Sequence, residues 1–251
     1  MIADMLNRLK ARLSREKFQP SWLGVVISPV YFIRNGIYQS VRSMAPGITG
    51  DVLDFGCGSK PYESLFINTS SYVGADIEVS GHDHKRSRID VYYDGKTLPF
   101  PNGHFDAVVS FEVFEHVFNL DEVLQEIRRV LKPGGQLLIT VPFAWDEHEI
   151  PYDFARYTSF GIRHVLVKSG FEVVEIQKTT TYVVAVCQMG IAYLTQHVLP
   201  KRWAPARAVG QLLFVFPLNM AALLLNAVLP KRYEYFCNSA VLGAKSKDGK
   251  I

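Results

Sequence analysis

The sequence predicts a doubly wound α/β fold, and three observations carry that reading. The stretch Asp51-Val-Leu-Asp-Phe-Gly-Cys-Gly-Ser-Lys-Pro-Tyr62 passes from a short apolar strand directly into a Gly-x-Gly turn. Glycine takes left-handed conformations without strain, and the missing Cβ lets a ligand approach the backbone. A second apolar run, Ser71-Tyr-Val-Gly-Ala-Asp76, ends in an acid roughly 20 residues after the turn, the spacing of a nucleotide-type α/β unit. Strand-like runs then keep alternating with helix-periodic ones, which is the pattern of a mostly parallel sheet with helices on both faces.

The elements follow in order. Residues 1–18 place Met1, Ile2, Met5, Leu6, Leu9 and Leu13 at helical spacing among basic residues, as an amphipathic helix would. Residues 21–33 are apolar, interrupted by Pro29, and too short to span a bilayer. Residues 35–44 read as a helix ending at Pro46-Gly47. Pro61 suits a first helical turn, so 61–67 is expected to be helical. Ile89–Tyr93 is the third strand and Phe105–Ser110 the fourth, apolar through its middle as a strand buried on both faces is. Asp121 can cap a helix over 122–131, which Lys132-Pro-Gly-Gly135 would end. Gln136–Val141 is the fifth strand. A helix capped by Thr158 or Ser159 runs to Lys168, and Phe171–Gln177 alternates as the sixth strand. Tyr235–Gly243 is the seventh.

Composition narrows the function classes. Hydrophobic residues make up 48% of the 251, enough for a full core and incompatible with overall disorder. A net charge of +3 is no nucleic-acid signature, so no nucleic-acid partner is expected. Cys57, Cys187 and Cys237 are odd in number and scattered, which argues for a reducing compartment and against a disulfide framework or zinc site. No cleavable signal peptide is expected from the alternating apolar and charged start. His82, Asp83, His84, Lys85 and Arg86 invite a metal reading, but a solvated loop is the better one; nothing in the sequence requires a metal.

The glycine turn excludes two ligands. A dinucleotide fingerprint wants a third glycine where Pro61 stands, and no Gly-Lys-Ser/Thr follows for a phosphate loop. What remains, Leu-Asp-Phe-Gly-Cys-Gly, resembles motif I of the class I S-adenosylmethionine (SAM) methyltransferases. The resemblance continues in family order through Asp76, Asp94-Gly-Lys-Thr-Leu-Pro-Phe100, Glu115-His-Val117 and Lys132-Pro-Gly-Gly135, over residues 48–177 and the last strand. It is closest to the "methyltransferase 11" type. It implies a Rossmann-like seven-stranded sheet with an antiparallel last strand and a helical insertion before it. It also implies SAM as cofactor, with contacts from Asp54, Gly56, Cys57, Gly58, Asp76, Ile77, Asp94, Gly95, Ser110, Phe111 and Glu112. In that scheme Asp76 takes the ribose hydroxyls and Asp94 the adenine. Cys57 is expected to pack rather than react.

The acceptor must be read elsewhere. Pro142–Thr158 is a long loop rich in aromatics and charges, the kind that usually carries function. Its His…Pro-x-Asp-x-x-Arg-Tyr-Thr run resembles methyltransferases of bacterial surface-polysaccharide and glycolipid biosynthesis. That resemblance makes His148 the first candidate for a general base; His116, just past the fourth strand, is the second, though it and Glu115 could equally anchor the loop and the following helix by hydrogen bonds. Trp145, Asp153, Arg156 and Tyr157 are the candidate acceptor contacts. Asp153 and Arg156, three residues apart, could equally pair and fix the loop.

Two stretches, between Lys178 and Lys201 and between Arg207 and Lys231, contain no Lys, Arg, Asp or Glu. Each is near the length that crosses a bilayer, but basic residues flank every end, against a spanning hairpin. A hairpin lying in one leaflet fits best, with a soluble lid or oligomer interface next. The expected organisation is a cap over 1–46, a SAM-binding core over 47–179, the apolar hairpin over 180–232, and the last strand and tail over 233–251. The expected protein is a cytoplasmic enzyme at the inner face of the membrane, touching it through 1–18 and 180–230. Its acceptor would be a small molecule, glycan or glycolipid, methylated on oxygen. A quinone-type lipid acceptor, or a non-catalytic SAM-binding membrane protein, are the alternatives.

Overall fold

The computed structural model describes residues 15–78, 87–199, 206 and 209–246. Most of the expected amphipathic helix, the His82–Arg86 cluster and Lys201, Arg202 and Arg207 lie outside those residues. The described chain divides into two compact units.

The larger unit comprises 40–178 and the chain from Asn238 onward. It holds a seven-stranded sheet: β1 (Gly50–Phe55), β2 (Thr69–Ile77), β3 (Val91–Tyr93), β4 (Phe105–Phe111), β5 (Leu131–Pro142), β6 (Phe171–Lys178) and β7 (Asn238–Lys245). The order is β3-β2-β1-β4-β5-β7-β6, with β7 antiparallel to both its neighbours and the remaining pairs parallel. This is the expected Rossmann-like methyltransferase sheet. Leu53, Phe55, Val108, Leu137, Ile139 and Val241 are buried along its strands. Helix Leu120–Val130 lays Leu120, Val123, Leu124, Ile127 and Val130 on that core, the i, i+3, i+4, i+7 stripe the sequence shows.

Several boundaries differ from expectation for local reasons. Residues 61–67 form only a 3-10 turn at Glu63–Leu65, because Lys60 adopts a left-handed φ of 52° and Tyr62, before the turn, offers no side-chain cap. Asn119, not Asp121, precedes helix Leu120–Val130, and no side chain caps it; Asp121 faces Lys168 at 2.6 Å instead. Lys132–Gly135 does not form a separate helix stop. Leu131 already begins β5, and those residues make a register slip in it that Gly134, at φ 74°, accommodates. The last strand starts at Asn238, since Tyr235 packs on the ring of Tyr182 at 5.4 Å.

The smaller unit comprises described residues up to Gln39 together with 179–237. Helix Trp22–Ile27, the first part of helix Tyr31–Met44, helix Tyr182–Tyr193 and helix Phe216–Val228 compose it, the last two extended by π-helical turns at Leu194–Val198 and Gln211–Val215. Phe32, Val184, Ile191, Val215 and Ala222 form its small core. Two polar residues are buried with it. The Gln188 amide donates to the Pro29 carbonyl at 2.7 Å and accepts from the Phe32 N–H at 3.3 Å. Asn219 donates to the carbonyls of Val25 and Ser28 at 2.8 and 3.2 Å. Each satisfies backbone groups left open where the chain breaks between helices at Ser28–Val30. Many of its large apolar side chains are exposed, including Tyr193, Leu213, Leu224 and Val228. Gln211–Val228 is long and apolar enough, by length and composition, to cross a membrane.

Candidate active site

The carboxyl edge of the parallel strands gathers the expected cofactor residues. Gly56 and Gly58 leave β1 with φ of 70° and 45°. The N–H groups of Gly56 and Cys57 both donate to the Ala75 carbonyl, at 2.9 and 3.2 Å, which folds the turn over the end of β2. A Cβ at Gly56 would lie 2.5 Å from a Val113 methyl, so this position favours glycine, whereas among the described residues nothing lies within 4 Å of one at Gly58. That open side of the turn is where a ligand can meet bare backbone. Asp76 is buried at the end of β2. Its Oδ2 accepts the Gly58 N–H at 3.0 Å and its Oδ1 the Ile77 N–H at 2.9 Å. A carboxylate has about four acceptor sites, so two backbone bonds leave capacity for a pair of hydroxyls.

Asp94 and Gly95 follow β3, in register beside the end of β2. Asp94 Oδ1 accepts the N–H groups of Lys96 and Thr97, and these bonds hold its carboxyl below the usual range. Gly95 has φ 78°. The Leu-Pro-Phe segment after it is clamped from helix Leu120–Val130. Glu126 accepts the Leu98 N–H at 2.9 Å, and Arg129 donates to the carbonyls of Leu98 and Phe100, both at 2.8 Å.

Other candidates brace this edge. Asp54 is buried and accepts the Tyr72 hydroxyl at 2.8 Å; burial pushes its carboxyl up to about 7. Cys57 is buried, and burial together with Asp54 and Asp76 pushes its thiol up, which suits packing rather than nucleophilic attack. The Ser110 hydroxyl donates to the Phe55 carbonyl at 2.8 Å across strands. Phe111 meets the Tyr62 ring edge-on at 4.9 Å. Glu112 adopts a left-handed φ of 56°, the sort of costly conformation that clusters at functional sites, and accepts Asn238 Nδ2 at 2.6 Å.

The Pro142–Thr158 loop lies over the turn that follows β4. The Phe154 N–H donates to the Glu115 carbonyl at 2.8 Å and the Tyr157 N–H to that of Pro142 at 3.0 Å, tying the loop at two points. Arg156 grips Asp153 through both terminal nitrogens, at 2.5 and 2.6 Å, and also donates to the carbonyls of Trp145, Asp146 and Ala155. This pair holds Asp153 down to about 2 and raises Arg156. Asp153 in turn accepts the His148 N–H at 2.9 Å. Their geometry is that of a loop-ordering pair. Tyr157 is half-buried against the main core. The two candidate bases come together, with the rings of His116 and His148 at 4.8 Å, edge to face. His116 Nδ1 lies 2.6 Å from the Tyr152 carbonyl. Burial lowers its pKa, favouring the neutral ring. Glu115 beside it is fully buried, and among the described residues neither carboxyl oxygen has a hydrogen-bond partner. Burial first, and then Glu112, raises its pKa well above the usual range.

Sequence reasoning missed the residues that brace this edge. Buried Lys60 pairs with Asp90 and reaches the Tyr72 carbonyl at 3.4 Å. No spacing rule signals that link, because its partners come from a neighbouring strand and the loop before β3. Glu149, which brings Oε2 to 3.8 Å from His116 Nε2, was also unsignalled.

A glycine turn with a strand-end acid beneath it, on the carboxyl edge of a seven-stranded sheet with a reversed β7, defines a class I SAM-dependent methyltransferase fold. The chain belongs to the methyltransferase-domain family, whose model matches residues 3–176. A Mycolicibacterium smegmatis protein named for S-adenosylmethionine-dependent methyl transfer is 29% identical over 151 residues, 58% of this chain and 56% of its own. A fatty-acid O-methyltransferase of the same organism is 34% identical over 113 residues, covering 41% of each chain. The mitochondrial ubiquinone biosynthesis O-methyltransferase of Rattus norvegicus is 37% identical over 127 residues, 44% of this chain and 37% of its own. The chain thus spans about half, or less, of the length of these curated relatives. Among solved structures, a chain from the complex of the Haloferax volcanii Trm112 methyltransferase activator with a methyltransferase has a TM-score of 0.54 at 20% identity. It covers 86% of this chain and 91% of that one, and the likeness is one of fold.

Proposed function

We propose that this protein transfers the methyl group of SAM to an oxygen of a membrane-borne acceptor, a glycolipid intermediate or a quinone-type lipid. The observation that carries methyl transfer is the cradle itself: a glycine-favouring turn at Gly56, open backbone at Gly58 and Asp76 with acceptor capacity to spare, one strand from Asp94. Those residues fit SAM. Gly56 and Gly58 would receive its methionine end, Asp76 its ribose and Asp94 its adenine. When bound, SAM supplies an electrophilic methyl whose bonding electrons leave with sulfur. The acceptor oxygen forms the new bond and gives up its proton, for which His148 is the nearest exposed base and His116 the deeper one. The Asp153–Arg156 pair orients His148 through the backbone bond at 2.9 Å, so the base is placed before the acceptor arrives.

Oxygen as the methylated atom is supported by the likeness to the fatty-acid and ubiquinone-biosynthesis O-methyltransferases. A membrane-borne acceptor is supported by the exposed apolar side of the helical unit and by the Gln211–Val228 helix. Peripheral contact at the inner face of a membrane fits both. The test is incubation of the purified chain with methyl-labelled SAM and total lipid extract. Label recovered in base-stable, ether-linked lipid supports the reading. Label only in water-soluble glycans would shift the acceptor class, and tight SAM binding with no transfer to either fraction would favour a non-catalytic SAM-binding protein.

A further inference from the structure

We propose that Glu115, His116 and His148 form a site for a divalent transition-metal ion at the acceptor end of the cleft. One ligand atom from each lies within 4.8 Å of the others. Metal bonds of about 2.0–2.1 Å would bring such atoms roughly 3–3.5 Å apart, a closing movement that side-chain rotation can supply. One carboxylate and two imidazoles suit zinc, manganese or iron rather than calcium or magnesium.

Two further features point to a cation. Glu115 is fully buried, and among the described residues no side chain or neighbouring strand donates to either oxygen, although buried carboxyl groups are almost always satisfied. Its Oε1 lies 3.8 Å from His116 Nε2. The histidines are also prepared as ligands. A carbonyl can only accept, so His116 Nδ1, at 2.6 Å from the Tyr152 oxygen, carries the proton and leaves the Nε2 lone pair free. His148 Nδ1 lies 3.2 Å from the Asp146 carbonyl, 3.3 Å from the Asp153 carboxylate and 3.4 Å from Arg156 Nη2, contacts that fix the direction of the ring. Carboxylate or carbonyl behind imidazole is the arrangement that fixes tautomer and ring direction in metal sites. Glu149 Oε2, also 3.8 Å from His116 Nε2, stands as a fourth donor. Among the side chains, His148 is 32% exposed and Glu115 0%, so an ion would enter past His148 and rest on Glu115.

The ion's role rests on the methyl-transfer reading, in which it would replace the free histidine base: with both imidazoles held as ligands, it would take the acceptor oxygen in its open position and ease loss of that oxygen's proton. Its binding does not rest on that reading, and the two are measured apart. The full chain, stripped with EDTA and dialysed, is titrated calorimetrically with Zn²⁺ and with Mn²⁺, and Co²⁺ is followed by its visible absorption. We expect one ion per chain and a Co²⁺ spectrum intensified by nitrogen ligation. Glu115→Gln and His148→Ala should each weaken binding at least about 10-fold. His164→Ala, on the exposed side of helix Ser159–Lys168, should not, and SAM affinity should stay unchanged in all three variants. No binding by the wild type, or equal binding by it and both site variants, overturns the proposal. Ion binding lost in both variants, in a protein that methylates nothing, would uphold the metal site and remove the methyl-transfer reading.

Discussion

Alanine at Gly56 and alanine at Gly58 are chemically the same change in one turn, yet they should cost different amounts. Both positions are left-handed, at φ 70° and 45°, and a Cβ there costs roughly 1–2 kcal/mol. At Gly58 nothing else among the described residues opposes it. At Gly56 the new Cβ would lie 2.5 and 2.7 Å from the two methyls of Val113. Valine is stiff at χ1, so rotation only exchanges one methyl for the other, and overpacking adds about 1–3 kcal/mol. The expected losses are therefore about 2–5 kcal/mol for Gly56→Ala and about 1–2 kcal/mol for Gly58→Ala. Urea unfolding of both variants measures this. The double variant with Val113→Ala isolates the clash, since relief should appear as a coupling of about 1–3 kcal/mol with Gly56 and none with Gly58. SAM titration of the same proteins should show weakened binding for Gly56→Ala and abolished binding for Gly56→Val. Equal losses at both glycines, or no coupling to Val113, would refute the steric argument.

Asp76→Ala should abolish SAM binding by calorimetry, because it removes the ribose acceptor and also frees the Gly58 N–H; retained affinity would remove Asp76 from the cofactor site. His148→Ala should leave SAM affinity intact and lower the transfer rate to the true acceptor; an unchanged rate would dismiss it as base or ligand. Asp153 has a folded pKa depressed to about 2, so its stabilisation is full above the ordinary carboxylate range and is lost as pH falls from about 4 towards 2. The side chain is 4% exposed, and the loss amounts to about 2 kcal/mol; Asp153→Asn should flatten the urea midpoint between about pH 5 and about pH 3, roughly one unit either side of the ordinary carboxylate pKa. Leu213→Glu with Leu224→Glu, on the exposed apolar side of the helical unit, should abolish co-flotation with anionic vesicles while SAM affinity is kept; flotation unchanged by both charges, or none by the wild type, would reject the membrane contact.

Alternation of apolar strands with helix-periodic runs, and the acids that close β2 and precede Leu-Pro-Phe, are local patterns, and so the sheet, its cofactor edge and the family could be read from sequence. Burial on one or both faces dictates those patterns residue by residue. The polar residues of the apolar insertion were another matter. Gln188 and Asn219 bind backbone groups of residues 25–32, about 160–190 positions away in the chain. No periodicity records such a partner. The 142–158 loop shows the same division. Its length and composition marked it as functional, and the three-residue spacing of Asp153 and Arg156 allowed a pair. Only the tertiary structure decided that the pair carries His148 to the ring of His116, beside a buried Glu115. Sequence determined which residue types stand at the strand ends; the fold decided which of them meet, because a side chain's surroundings are set by elements far from it in the chain.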